Sequence, residues 1–519
     1  MVEVALREKP IEISNNCTEI YINRMKLLKY QGQLKLNRFK YILFILISYL
    51  FLLSHGTAKP IDLPEIGQSG GAYITPIEEY RTGEAVMRNI RRVGAMLDDA
   101  LLNDYLNHLG YRIVAHSDAT EKDFDFFIVN DPAINAFALP GGFIGINYGL
   151  LLAADSESEL ASVLAHEIAH VTQRHHARAY EFADNNNIPV LATLIAALIL
   201  GSQGSELGSA ALAALSASSI QSQINFTRAN EKEADYIGIG LLAESGFNPA
   251  SMSDFFGKLS RESRLYGYSA PEFLRTHPVS ESRMADAGNR ARQYQKGKTF
   301  HSPINFYLMQ ARLRVLGSSD KQKLIQQLRF ELKKNKYKQK QAAQYALALA
   351  LIETGKYSDA KKIIKLLLSS SPDRIAFLLA NARLESRANN HKAALKAFNN
   401  AILVYPGNES LSIGYAEALL RAKKPQAAKT VLHKQLLKST SNPMSFKLLA
   451  ETETRLGNKT GTHVAMAEYY YRVGLTHQAL SQLEIALKSK NLDFYNTARI
   501  EARITNFRDE IVQLKALQD

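Results

Sequence analysis

Ala348, Ala382 and Ala416 stand 34 residues apart, as do Ala360, Ala394 and Ala428, and Pro372 and Pro406 close successive units at the same interval. A period of that length is one helix hairpin. A single hairpin cannot bury its apolar face, so neighbours stack, and small residues at fixed points let the paired helices approach closely. From about residue 305 the chain is therefore committed to an α-solenoid with a concave, partner-binding surface. Three units are sound, the third ending late at Pro443. Beyond it the period slips, although Gly457 and Gly474 still punctuate helices and Ala479 with Ala486 resembles another second helix.

The preceding half carries a different signal, the box His166-Glu167-Ile168-Ala169-His170. Ser156 and Glu159 have capping-box spacing, and Leu160, Val163, Leu164 and Ile168 repeat at helical intervals, which puts the box on a helix backed by an apolar stripe. Residues four apart on a helix differ by about 40° in azimuth, so His166 and His170 can grip one ion. Glu167, on the edge of the same face, is placed as a general base for a zinc peptidase.

A catalytic zinc takes three protein ligands and keeps a fourth position open. His176 has the spacing of a metzincin third ligand, but Gln173 stands where that pattern needs glycine, and in an unbroken helix His176 points about 280° away from His166. Glu231 is the better candidate. It shares a helical face with Asp235, which is then placed to hydrogen-bond a ligating histidine and fix its tautomer. Glu233 projects from another side, about 200° from Glu231, and reads as solvated or structural.

The pair of motifs, His166-Glu167-x-x-His170 and Glu231-x-x-x-Asp235, resembles peptidase family M48, and the 34-residue units resemble tetratricopeptide (TPR) repeats. The resemblance implies a gluzincin-type metallopeptidase, mainly α with a small β-sheet, followed by the TPR solenoid, and one Zn2+ per chain. Asn135, Ala136, Phe137 and Ala138, before Pro140-Gly141-Gly142, look like the family's substrate-facing strand and turn. An edge strand there offers free backbone groups to an extended peptide, the plain alternative being an ordinary hairpin edge. Thr276-His277-Pro278 with Arg283 resembles a segment of the periplasmic M48 peptidases that carry TPR domains. By that resemblance His277 is a regulatory fourth ligand that holds the enzyme latent, and Arg283 contacts substrate. Outer-membrane β-barrel proteins and their assembly machinery are the implied partners. A rival reading makes the chain mainly a chaperone or assembly adaptor with a latent zinc site.

Arg38 and Lys40 precede an apolar run over residues 41–53, and Gly56-Thr57-Ala58 supplies small residues for cleavage, the pattern of a secretory signal peptide and a periplasmic destination. Thirteen residues span about 20 Å as a helix, short of a bilayer core of about 30 Å. A start at Met25 gives the more ordinary basic leader. The single cysteine, Cys17, precedes the signal, so the exported chain has no thiol for a disulfide or a lipid. The expected segments are 1–58 leader and signal, 59–304 peptidase and 305–519 TPR. Residues 305–519 carry 35 basic and 17 acidic side chains, net +18, and residues 59–304 carry 20 and 29, net −9. The basic half suits acidic partners or anionic envelope surfaces. Nucleic acid is not expected of an exported chain without a binding motif. The apolar run 190–200 reads as a core helix, a lid over the zinc or a peripheral membrane contact.

Overall fold

The structure, a computed structural model, describes residues 74–118, 123–185, 217–266, 271–294, 300–438, 442–489 and 492–516. The leader, Cys17, the signal segment and the run 190–200 lie outside these residues. Among the described residues no helix is long and apolar enough to cross a membrane.

Helix α1 (Pro76–Arg92) starts where local chemistry places it: Thr75 and Glu78 cap one another reciprocally and Pro76 occupies the first turn. Helix α2 (Ala100–Val114) starts at Asp99, whose carboxylate accepts from the Leu102 N–H. The sheet has three strands, β1 (Asp125–Val129), β2 (Ala136–Leu139) and β3 (Phe143–Asn147), in the order β1-β3-β2. The central β3 is parallel to β1, antiparallel to β2 and buried along its length. Only the 3-10 turn Pro140–Gly142 joins β2 to β3. Gly141 there has φ +78°, and an added Cβ would lie 2.4 Å from the Tyr80 Cα, so the turn requires glycine. The outer flank of β1 is covered, because the Leu97 N–H donates to Ile128 and the Asn130 N–H to Ala95. That leaves β2 as the sheet's edge.

Helices α3 (Tyr148–Ala153) and α4 (Glu157–Thr172) follow. The Ser156 hydroxyl accepts from the Glu159 N–H at 3.2 Å while the Glu159 carboxylate accepts from the Asp155 N–H at 2.8 Å, closing the α4 N-terminus. Residues 160–171 are all buried, because α4 packs against the sheet and also against a long later helix. After α5 (His175–Asn185), that helix is α6 (Ala217–Glu244), followed by α7 (Ser251–Tyr266), α8 (Glu272–Thr276) and α9 (Glu281–Tyr294). Gly238 brings α6 close to α4: a Cβ there would sit 3.2 Å from the Ala165 backbone, next to His166.

The rest is helix hairpins: α10 (Ile304–Gly317) with α11 (Lys321–Lys333), α12 (Lys340–Glu353) with α13 (Tyr357–Ser370), α14 (Ile375–Arg387) with α15 (His391–Val404), and α16 (Glu409–Arg421) with α17 (Pro425–Leu436). The series continues with α18 (Pro443–Arg455) and α19 (Lys459–Arg472), then α20 (Thr476–Leu487) and α21 (Phe494–Ala516). All six alanines of the repeat are at most 1% exposed. Gly355, Asn389, Lys423 and Gly457, each 34 residues after the last, all take a left-handed φ of 57–75° at the turn inside their hairpin. The register therefore does not slip after Pro443, which opens α18 rather than closing the third unit.

The hairpins pack back onto the first half. One hydrophobic cluster runs from Leu101 on α2 through α4 to Ala418 on α16. Arg312 on α10 makes a two-pronged ion pair with Asp99 at 2.8 and 2.5 Å, Asn408 donates to Asp104 on α2 at 2.8 Å, and Arg88 on α1 bonds Thr476 and Glu510.

Candidate metal centre

Helix α4 puts His166 and His170 one turn apart with their Nε2 atoms 3.1 Å from each other. Helix α6 brings Glu231 beside them, its Oε1 3.4 Å from His170 Nε2 and its Oε2 3.4 Å from His166 Nε2. From the end of α8, His277 completes the group. Its Nδ1 lies 3.3 Å from His166 Nε2 and 3.0 Å from Glu231 Oε1. The His277 ring stacks on Phe273 at 4.8 Å, and its backbone N–H donates to the Phe273 carbonyl. One ligand atom from each of the four residues lies within 4.8 Å of the others, and all four residues are at most 9% exposed.

The groups behind these four hold them in place. Asp235 Oδ1 is 3.0 Å from His166 Nδ1, at ion-pair distance but off the line of a well-directed hydrogen bond. Arg283 donates to both Asp235 oxygens at 2.7 and 2.8 Å and to the Pro278 carbonyl at 2.9 Å, and its Nη1 is 2.8 Å from Glu231 Oε2. Glu167 is 1% exposed, and its Oε1 lies 3.5 Å from His277 Nε2. Burial disfavours a charged His166, but Asp235 and Glu231 outweigh it and raise its pKa to about 10. Burial alone dominates at His170, holding it well below the usual range. Against the penalty of burial, His277, His166 and His170 hold the Glu231 carboxyl well below its usual range. Arg283 offsets one of the two buried carboxylates, Glu231 and Asp235, and the remaining negative charge beside three imidazoles favours a further cation among them, either a proton or a metal ion. Three nitrogens and one carboxylate, converging at this separation, fit zinc's preferred N and O donors and its four-coordinate habit.

The sequence-derived candidates fall out as follows. His166, Glu167, His170, Glu231, Asp235 and His277 come together. Asn135, Ala136, Phe137 and Ala138 lie on or just before β2, with Ala136 and Ala138 turned into the core. Arg283, expected to contact substrate, lies on the far side of Asp235 and Glu231. It is 3% exposed, and its guanidinium is committed to Asp235, Glu231 and Pro278, so it braces the site from behind.

His176 is no part of the cluster, although α4 does end at Thr172 as a metzincin turn would need. Arg174 takes φ +52° without a glycine, and His176 hydrogen-bonds the Ala138 backbone. His175 was not singled out in the sequence, and Glu233 was read as solvated or structural. They meet beside the site: His175 Nδ1 is 2.9 Å from His170 Nδ1 and its Nε2 is 3.2 Å from Glu233 Oε2. Burial pulls the His175 pKa down to about 4, so the ring is neutral at physiological pH. The signal available was the run Arg174-His175-His176 just after the box, but its direction depends on the chain reversal at Arg174.

Comparison with known proteins places the chain in a family. The profile of Peptidase family M48 matches residues 100–291, and a Tetratricopeptide repeat profile matches residues 387–451. The chain is 36% identical over 446 residues to the Beta-barrel assembly-enhancing protease of Escherichia coli (strain K12), covering 86% of this chain and 91% of that one. It is also 36% identical over 461 residues to the Putative beta-barrel assembly-enhancing protease of Vibrio cholerae, covering 88% and 95%. A more distant relative is the Mitochondrial metalloendopeptidase OMA1 of Schizosaccharomyces pombe, 30% identical over 180 residues, 35% of this chain and 50% of that one. On its motifs, its fold and these relatives, the chain belongs to peptidase family M48, as a zinc metalloprotease that carries tetratricopeptide repeats.

Proposed function

We propose that the chain is a periplasmic endopeptidase that cleaves misassembled outer-membrane β-barrel proteins, held latent by His277 and fed by its TPR arm. The observation that carries the catalytic part is the convergence of His166, His170, Glu231 and His277 on one point beside Glu167. In this reading His166, His170 and Glu231 are the permanent ligands and His277 occupies the fourth position. Zinc held there supplies Lewis-acid polarisation of a carbonyl and of water. Asp235 orients His166, and Arg283 keeps Asp235 and Glu231 ionised. Glu167 takes the proton of the attacking water and returns it to the leaving amine. An extended peptide adds to the β2 edge, where recognition through backbone groups tolerates many side chains. A cavity of about 280 Å3 lined by Ile77, Tyr80, Leu139, Val171 and His170 adjoins that edge.

The names of the relatives support β-barrel clients, and a cavity of about 940 Å3 in the last hairpins, lined by Lys429, Phe446, Arg499 and Arg503 among others, suits the capture of a partner segment. The leading basic residues and small-residue cleavage segment of the sequence support export. The experiment is Glu167→Gln: zinc stays stoichiometric while cleavage of an unfolded β-barrel client falls by roughly 10²–10⁴-fold. Undiminished cleavage by contaminant-free variant excludes Glu167 as the base.

One observation favours a second reading, in which the chain acts mainly as a chaperone or assembly adaptor. The His277 ring is packed against Phe273 with its Nε2 3.5 Å from the Glu167 carboxylate, which places it where an attacking water would have to lie. Complementation separates the two. Envelope integrity restored by Glu167→Gln as well as by the parent makes binding the principal activity.

A further inference from the structure

Helix α4 ends at Thr172, Gln173 caps it, and Arg174 takes a left-handed φ of +52°. The Arg174 guanidinium holds that turn by donating to the Ile74 carbonyl at 2.9 Å. The first residue of α5, His175, is thereby turned back under His170. Their Nδ1 atoms are 2.9 Å apart, His175 is 4% exposed, and its far nitrogen, Nε2, lies 3.2 Å from Glu233 Oε2. Arg178, one turn further along α5, donates to the same Glu233 oxygen at 2.8 Å.

The protons in this chain can be placed by elimination. Two ring nitrogens at hydrogen-bond distance share one proton between them. If His175 Nδ1 carried it in a neutral ring, the bare Nε2 lone pair would face the Glu233 carboxylate. If His170 Nδ1 carries it, every contact behind the ring is satisfied, because His170 Nδ1–H donates to His175 Nδ1, His175 Nε2–H donates to Glu233 and Arg178 neutralises Glu233, and the one lone pair left facing a carboxylate is His170 Nε2, where a metal ion would sit. This arrangement also leaves His170 Nε2 without a proton, facing Glu231 and His166.

We propose that His175 is a positioning residue for the metal centre, fixing the tautomer and ring plane of His170 through the relay His170–His175–Glu233–Arg178. It does for the second histidine of the box what Asp235 does for the first. The two differ in charge. Asp235 places an anion directly behind His166, whereas behind His170 the anion is Glu233, one neutral imidazole further away. The two ligating rings therefore donate unequally, His166 being the more basic.

The inference rests on His170 being a ligand, so His170→Ala is the control in every arm. Zinc affinity is measured on the full-length chain by competition with a chromophoric chelator, and the ligand field is read from the visible d–d bands of the Co2+-loaded protein. His175→Phe keeps a ring but removes the acceptor, and Glu233→Leu removes the anchor at a side chain that is 37% exposed. Both weaken zinc by about 10–100-fold and shift the Co2+ bands. His175→Asn, whose side-chain oxygen also accepts from the His170 Nδ1–H, stays within about threefold of the parent. Selective 15N-histidine spectra of the parent show His175 as the Nε2–H tautomer. Zinc bound as tightly by His175→Phe as by the parent overturns the proposal, as does His175→Asn no better than His175→Phe. If His175→Phe does not fold, Glu233→Leu and the parent tautomer decide, and an Nδ1–H tautomer at His175 overturns it. Metal retained by His170→Ala instead removes the site on which the proposal stands.

Discussion

The Asp99–Arg312 pair pins the first hairpin to the α2 N-terminus across 213 residues of sequence, and Arg312→Met tests what that pin contributes. The two side chains are 10% and 4% exposed, so methionine fills much of the arginine's space but leaves a buried carboxylate with the Leu102 N–H as its hydrogen-bond donor and only the charge of Arg383 nearby. Removing one member of such a pair costs about 3–5 kcal/mol, much of it the uncompensated charge. With a urea slope of about 2–3 kcal/mol/M, the unfolding midpoint falls by roughly 1–2 M. The pH dependence gives a second check. In the parent, burial raises the Asp99 pKa but the charge and hydrogen bonds of Arg312 overcome it, so the net shift is downward. The pair's stabilisation is therefore fully present above the ordinary carboxylate range and lost as pH falls through the lowered value. In Arg312→Met burial is opposed only by the charge of Arg383 and the Leu102 N–H, so the downward shift is weakened. The deficit of the variant is thus largest near neutrality and shrinks toward pH 4, and Asp99→Asn added to Arg312→Met recovers most of it. Urea melts with an unchanged midpoint at pH 7, or with a deficit independent of pH, would refute the reasoning.

His277→Ala removes the ring beside Glu167 and should raise basal hydrolysis of an unfolded β-barrel client several-fold at unchanged zinc content; equal or lower turnover speaks against latency at His277. At the seam between the halves, burial lifts Asp104 to about 6, with Asn408 opposing and Asp99 adding, and burial together with Asp104 lifts Glu409 to about 7. Raised carboxyl pKa values mean the folded state holds these protons more tightly than the unfolded chain. Stability is then favoured below about pH 4, begins to fall above the ordinary carboxylate values and is lost as pH rises through 6 and 7. After discounting for partial exposure, the effect is on the order of 3 kcal/mol for the pair. Asp104→Asn with Glu409→Gln should therefore be more stable than the parent in urea melts at pH 8 and nearly the same at about pH 4, and a pH-independent difference contradicts the assignment.

The parts legible in the sequence were those written in local periodicity. His166 and His170, and Glu231 and Asp235, are each four residues apart on one helix, so their faces follow from helix geometry whatever the rest of the chain does. The alanines at 348, 382 and 416 are read the same way. The regularity past residue 442 was hidden because the conserved feature there is a backbone angle, carried in turn by Gly355, Asn389, Lys423 and Gly457, and not a residue type. His175 and Glu233 depend on the reversal at Arg174 and on α6 lying against α4, neither of which any spacing encodes. The bracing role of Arg283 was not legible because a charged residue after a histidine motif gives no measure of depth, and three acceptors had to converge on it to keep it buried. The Asp99–Arg312 pin joins residues too far apart for any local pattern to reveal.

Anomalous diffraction at the zinc absorption edge, on crystals of the full-length chain grown with stoichiometric zinc, tests the central claim most directly. The account predicts a single strong peak within ordinary Zn–N and Zn–O distances of His166, His170 and Glu231, with His277 on the fourth side and Glu167 unligated. A chain without a peak at that point, or with a peak from which the Glu231 carboxylate is turned away, would contradict it.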